Sequence, residues 1–382
     1  MAGRTSVAVL LSDGERFGPY FGGAIARWTQ EVYACLGEEV DAQVFGFPTA
    51  PDDRYTVTHQ TSGAWRLSRA LARVPGLRRY EDTVWLRAIW ERIRKFDVLH
   101  IHSRPQWVPI FRRWGYQGSL LLHLHNDHLG HWDAEALNVL ASQLQGVAVC
   151  SDYLKNRFAA TSPALGAKAR VIYNGVNTRL FSPREELRES KTIFFVGRFD
   201  PEKGVLQLVR AFERVLARHP DARLVIGGTT GFGTHQDTPY VRRVRAEAAK
   251  LESRYPGCVQ FPGYIHHDHH LPQWFQKATL LASPSLFQEP FGMVNAEAMA
   301  CATPVVGSNR GGIPEVLGDA GILINPEDAG EFGDAMAGLL DDKNRRAGLG
   351  KASVERVREY FDWRVVAQTW TAFLEATRTG LA

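Results

Sequence analysis

Short apolar runs bounded by turn residues alternate along this chain with longer segments of helical spacing. That alternation constrains the chain to parallel sheets covered by helices. Residues 7–11, 42–46, 98–102, 120–125, 146–150 and 169–173 read as strands of a first series, with a helix over 24–36 after the first of them. A second series has strands at 192–196, 222–227, 259–262, 280–283, 303–307 and 321–324, with helices at 205–218, 240–251, 271–278, 293–300 and 329–340. Between the two lies FSPREELRESK (181–191), charged and without apolar periodicity, which reads as a linker. At 382 residues the chain is too long for one ordinary core. The expectation is an α/β protein of two Rossmann-like halves, 1–183 and 184–362, whose ligands bind beyond the carboxyl ends of the strands.

With 45% hydrophobic and 23% charged residues, the composition is that of a globular protein and excludes disordered and fibrous classes. Residues 1–184 carry 22 Lys+Arg against 16 Asp+Glu (+6), and 185–382 carry 23 against 25 (−2), matching the overall +4. The basic surplus of the first half would suit an anionic acceptor or membrane surface, and equally a solvated face. Cys35, Cys150, Cys258 and Cys301 lie far apart in apolar runs and read as reduced, buried thiols, with neither a disulfide framework nor a metal cluster. No signal segment or membrane-length apolar run is seen, so a cytoplasmic location, at most membrane-peripheral, is expected.

The loops carry the polar chemistry. Glu289 lies in a Pro/Phe/Gly-rich turn and Glu297 in the Met293–Ala300 run behind it, with Gly292 letting helix amides approach anionic oxygens. Read alone, both acids fit solvated positions near a helix N-terminus. Gly22 and Gly23 stand between the first strand and first helix, offering amides to a phosphate or sugar or simply making a tight turn; neither GxGxxG nor a P-loop is present. Arg198 and Lys203, in FFVGRFDPEKG, would suit a pyrophosphate at a strand's carboxyl end, or stand as surface cations on a turn. His123 and His125 share one face of a strand, and a satisfied structural histidine is the plainer reading of His125.

His266–His270 is a compositional hint of metal binding in a solvated loop, not a specific site. The backbone at Gly263, Tyr264 and Ile265 just before it sits where a nucleobase could be held. Residues 64–95 carry nine Arg/Lys among Trp65, Trp85, Trp90 and aliphatic residues, a pattern compatible with peripheral contact to an anionic membrane. The same spacing is that of core-facing helices with their Arg face in water, the reading preferred here.

Taken together, VIYNGVNTRLF (171–181), FVGRFDPEKG (195–204), the pair Glu289/Glu297 and RGGIPEV (310–316) resemble, in order and spacing, the signatures of the family 4 retaining glycosyltransferases of the GT-B fold, also called glycosyl transferases group 1. The resemblance is strongest over 171–328. It implies two Rossmann-like domains with parallel sheets facing a central cleft, and a C-terminal helix, 363–382, crossing back to the first domain. It also implies metal-independent hexosyl transfer from a nucleotide sugar, most often a UDP-sugar, to a saccharide, glycolipid or natural-product acceptor, with no cofactor and no nucleic-acid partner.

By the same resemblance, Arg198 and Lys203 would neutralise the donor diphosphate, Glu297 would bind ribose hydroxyls, and Glu289 and His125 would face the donor sugar. Amides of Phe291, Gly292, Met293 and Val294 would hold sugar and phosphate oxygens, and Gly22 and Gly23 would close over the diphosphate. Asn177 stands where the family usually has Asp, and 229–238 has no assignment. Two other readings remain: a different GT-B activity such as a nucleotide-sugar epimerase or a phosphorylase, the latter without a visible pyridoxal-phosphate lysine site, and a catalytically silent nucleotide-sugar-binding or coat protein.

Overall fold

A computed structural model of the chain describes residues 4–11, 16–17, 23–37, 40–48, 56–58, 70, 81–230 and 237–379. It divides into two compact units, Met1–Asn174 with Trp363–Ala382, and Gly175–Asp362. The division falls before the expected boundary at 183/184 because residues 176–182 are tied to the second unit. The Val176 amide donates to the Phe361 carbonyl (2.6 Å), Thr178 Oγ1 donates to Asp362 (2.5 Å), and Gln276 donates to the Ser182 carbonyl (2.9 Å).

The first unit holds a seven-stranded sheet in the order Thr56–Thr58, Val40–Phe45, Thr5–Leu10, Val98–His102, Ser119–Leu124, Gly146–Val149, Ala169–Val171. All neighbours are parallel. The strand at 56–58 and a two-stranded pair, Arg16–Phe17 with Phe47–Pro48, are additions to the expected set and too short to show periodicity. The helix Trp363–Thr379 packs on this unit as expected. Trp363, Val366, Trp370, Phe373 and Leu374 share a core with Val7, Val9, Trp28, Val32 and Val44, and Arg378 donates to Thr5 Oγ1 at 2.6 Å.

Within 64–95, residues 64–69 and 71–80 lie outside the described residues. The helix Glu81–Ile93 turns Trp85, Leu86, Ile89, Trp90 and Ile93 inward and exposes Arg87 and Arg92, which is the core-facing arrangement. Cys35 is exposed, against the expectation of four buried thiols, because the inward face of Ala24–Leu36 is occupied by Ile25, Trp28, Val32 and Leu36. No described helix is long and apolar enough to cross a membrane.

The second unit holds a six-stranded parallel sheet in the order Val259–Gly263, Arg223–Gly227, Thr192–Val196, Leu280–Ser283, Val305–Ser308, Ile322–Ile324. Helix Val205–Arg218 shows why its sequence folds this way. Leu208, Val209, Phe212, Val215 and Leu216 fall on one stripe and are buried against the sheet and against Phe332 and Met336 of the helix Ala329–Asp341. Each such side chain contributes about 1.5–3 kcal/mol by leaving water. In both sheets strand order reverses beside the first strand, which is where open α/β sheets leave a crevice at their carboxyl ends.

Candidate active site

In the second unit the reversal lies between Thr192–Val196 and Leu280–Ser283, and the loops leaving these two strands carry the charged residues. Asp200 caps the short turn Pro201–Lys203, its side chain accepting from the Lys203 amide at 3.2 Å. Gly204 follows with φ 68°, and a Cβ there would lie 2.0 Å from the Pro284 carbonyl, so only glycine admits the neighbouring loop. The Glu202 carbonyl then accepts from the amides of Leu286 (2.7 Å) and Phe287 (3.1 Å), lacing the two loops together.

That lacing sets Lys203 Nζ against Glu289 Oε1, and Ser285 Oγ donates to the same oxygen at 3.0 Å. Arg198 differs from Lys203: its side chain is 54% exposed and pairs with Asp200 at 3.2 Å. Both cations of the expected diphosphate pair are thus met by carboxylates, Lys203 by Glu289 in a largely buried contact and Arg198 by Asp200 in a more exposed one.

Glu289 rests on a floor of backbone. The Gly312 amide donates to the Glu289 carbonyl and the Gly311 amide to Gln288 Oε1, both at 2.7 Å. Gly311 has φ 61°, and a Cβ on it would lie 2.2 Å from the Glu289 carbonyl oxygen. Arg310 donates to the Leu286 carbonyl at 2.9 Å. The motif RGG therefore supports the loop, a role its composition alone does not reveal.

Gly292, at φ 89°, starts the helix Met293–Ala300, whose first amides have no intrahelical acceptor. Phe291 is buried, and Met293 and Val294 are half-buried at this helix start. Glu297 is 3% exposed on the same helix. Its Oε1 lies 2.6 Å from His267 Nε2, and His267 Nδ1 lies 2.7 Å from Asp268 Oδ1. The histidine tract accordingly places one ring on Glu297, while His266, His269 and His270 meet one another ring to ring. Sequence reasoning missed His267, and only its place in an unassigned histidine run pointed towards it.

Tyr264 is 47% exposed, whereas Ile265 is buried against Gly227. Tyr264 borders a cavity of about 540 Å³ shared with Phe199, Thr229, Thr230, Arg245 and Phe261, which brings part of 229–238 to the carboxyl edge of the sheet.

In the first unit, Gly23 is the extended N-cap residue of Ala24–Leu36, and Gly22 lies outside the described residues. His125 is 6% exposed and both its ring nitrogens are engaged, Nε2 with His102 Nδ1 at 3.0 Å and Nδ1 with Asn174 Oδ1 at 3.1 Å. Burial pushes its pKa from 6.5 down to about 4, although the Asn174 bond pulls the other way.

His125 belongs to a plate of four. Register pairs His102 with His123 across neighbouring strands, so His100, His102, His123 and His125 share one sheet face beneath Trp28 and Trp370. Nitrogens of His100, His102 and His123 lie within 4.8 Å of one another, as metal ligands could. Most are engaged in hydrogen bonds, Tyr33–His100–His123 Nδ1 at 3.0 and 3.3 Å and Thr29–His102 at 3.2 Å, whereas the buried His123 Nε2 meets no hydrogen-bond partner among the described residues.

Residues 177–356 match the family described as Glycosyl transferases group 1, and residues 25–180 match Glycosyltransferase Family 4. Among curated relatives, the spore coat protein SA of Bacillus subtilis is 28% identical over 78% of this chain and 83% of its own. A phosphatidyl-myo-inositol mannosyltransferase of Mycolicibacterium smegmatis is 31% identical over 73% of this chain and 70% of its own. Among solved structures, HepE of Anabaena in complex with UDP and glucose superposes with a TM-score of 0.73, at 20% identity, over 98% of this chain and 100% of that one.

Proposed function

The chain belongs to the family 4 glycosyltransferases and has their GT-B fold, and from that membership we propose that it transfers a hexosyl group from a nucleotide sugar, with retention at the anomeric carbon and without a metal ion. The observation that carries this reading is the contact of Lys203 with Glu289 where the strand order reverses, on two loops laced through the Glu202 carbonyl. Lys203 and Arg198 would take the donor diphosphate as their counter-charge, Glu289 would face the sugar, and Glu297 would hold the ribose.

The bond from the anomeric carbon to the diphosphate oxygen breaks and its electron pair leaves with the diphosphate. The acceptor hydroxyl oxygen bonds the same carbon from the same face, and its proton passes to the leaving phosphate. Cations placed where that charge develops lower the barrier. His125, with both nitrogens engaged, is assigned packing in this scheme rather than hydrogen bonding. A UDP-sugar is favoured as donor, in keeping with HepE, whose structure holds UDP and glucose. A glycan, glycolipid or natural-product hydroxyl is the acceptor class, in keeping with the relative named for mannosyl transfer to a phosphatidyl-myo-inositol.

A thermal-shift panel of UDP-, GDP- and ADP-sugars tests the donor, since ligand binding to the folded state raises the melting temperature. Proton NMR of the first product tests retention. If no nucleotide sugar shifts the melting and no nucleotide is released with any acceptor extract, the reading fails. A second reading, nucleotide-sugar binding without turnover, is prompted by the relative named as a spore coat protein. It predicts a thermal shift with no transfer.

A further inference from the structure

Of the five residues 266–270, one ring reaches the proposed donor site. His267 stands between two carboxylates, Nε2 at 2.6 Å from Glu297 Oε1 and Nδ1 at 2.7 Å from Asp268 Oδ1, and its ring meets Phe181 edge-on at 5.2 Å between centroids. With its N–H at Nε2, the imidazole donates to Glu297 Oε1, an oxygen that can only accept. The Glu297 side chain is 4% exposed, and a carboxylate so buried costs several kcal/mol unless a cation or donor meets it. His267 supplies that partner from an outer position, 30% exposed, in contact with solvent.

We propose that His267 is a positioning residue for the nucleotide: it holds Oε1 of the Glu297 carboxylate, leaving Oε2 to accept from the vicinal hydroxyls of the donor's ribose. The inference rests on the reading of Glu297 as the ribose anchor. Without His267, the buried Glu297 side chain loses the donor that fixes its orientation, and Oε2 leaves its place in the site. Because the diphosphate and sugar are held by other residues, the loss falls on recognition of the ribose and leaves the chemical step alone.

The experiment uses the full chain and calorimetric titration with UDP, GDP and ADP, each beside its 2′,3′-dideoxy counterpart. For the nucleotide that binds, His267→Ala is expected to weaken the ribonucleotide about tenfold and to leave the dideoxy form within twofold of wild type. In transfer assays the donor KM rises while kcat stays within twofold. His267→Gln, which keeps one donor towards Glu297, recovers part of the loss, and it is judged on the same titrations should His267→Ala fail to fold. If Glu297→Gln abolishes the preference for the ribonucleotide and the His267 variants keep it, the inference is overturned while the ribose reading stands. If Glu297→Gln keeps the preference, or wild type binds none of the three nucleotides, both fall.

Discussion

Nδ1 of His102 lies 3.0 Å from Nε2 of His125 across two neighbouring parallel strands, and with Thr29 beyond one ring and Asn174 beyond the other the pair forms a closed hydrogen-bonded line inside the first unit. Such a line holds neutral rings. Desolvation pushes His100, His102 and His123 well below 6.5 and His125 down to about 4.

The sign of the pH dependence follows. The unfolded chain takes up protons on these rings near pH 6.5, whereas the folded chain does not until much lower. Stability from this plate is therefore complete above about pH 6.5 and is lost as the pH falls towards 4, by up to about 1.4 kcal/mol per pH unit for each ring titrating. Urea midpoints should hold from pH 7.5 to about 6.5 and fall from there to pH 4.5, and His123→Phe should make that fall shallower. A flat curve would mean that these rings are not buried in the neutral form.

Lys203→Ala is expected to slow sugar transfer about 10²–10³-fold, the scale of losing one preorganised charge at a reacting centre. The fold should survive, since Glu289 keeps Ser285 as a donor. Lys203 and Glu289 share one contact, so the double variant Lys203→Ala with Glu289→Gln should lose less than the product of the two single losses. Wild-type kcat/KM in Lys203→Ala would remove these two residues from the site.

Gly311→Ala forces a side chain into a left-handed backbone position and towards the Glu289 carbonyl. About 1–3 kcal/mol of stability should go with it, and activity should fall further because Glu289 is displaced. Gly348→Ala, in the exposed surface of the helix Lys343–Arg356 with open space around its Cβ, is the control. It should be neutral or stabilise by about 0.5–1 kcal/mol, as alanine does over glycine in a helix. Melting temperature and transfer rate of the two variants settle the comparison.

Transfer should proceed at full rate in excess chelator, because the scheme gives diphosphate neutralisation to Lys203 and Arg198. Restoration of a lost rate by an added divalent ion would count against that assignment.

Much of the second unit is legible from sequence because its strands are continuous apolar runs and its helices carry clear stripes. Lys203 is pointed to by its place at a strand's carboxyl end and Glu289 by the resemblance of its motif, but their contact depends on Gly204 admitting the Pro284 carbonyl, a backbone fit that no residue pattern encodes. The His267–Glu297 contact joins residues 30 positions apart through a loop of irregular course, and periodicity says nothing about it. The histidine plate needed the register of Val98 with Ser119, which one strand read alone does not supply. Charge and proline density mark 181–191 as a linker, whereas backbone hydrogen bonds from Val176 onward tie the chain to the second unit, which no residue pattern shows.

Trp370 and its neighbours on Trp363–Thr379 complete the core that contains Val7, Trp28 and Val32. On the ribosome this reverses the usual order of maturation. Residues 175–362 form an uninterrupted unit that can close as soon as it emerges, whereas the unit begun first must wait, with part of its apolar interior uncovered, until the last helix has been synthesised. Chaperone demand during translation should therefore concentrate on the amino-terminal unit.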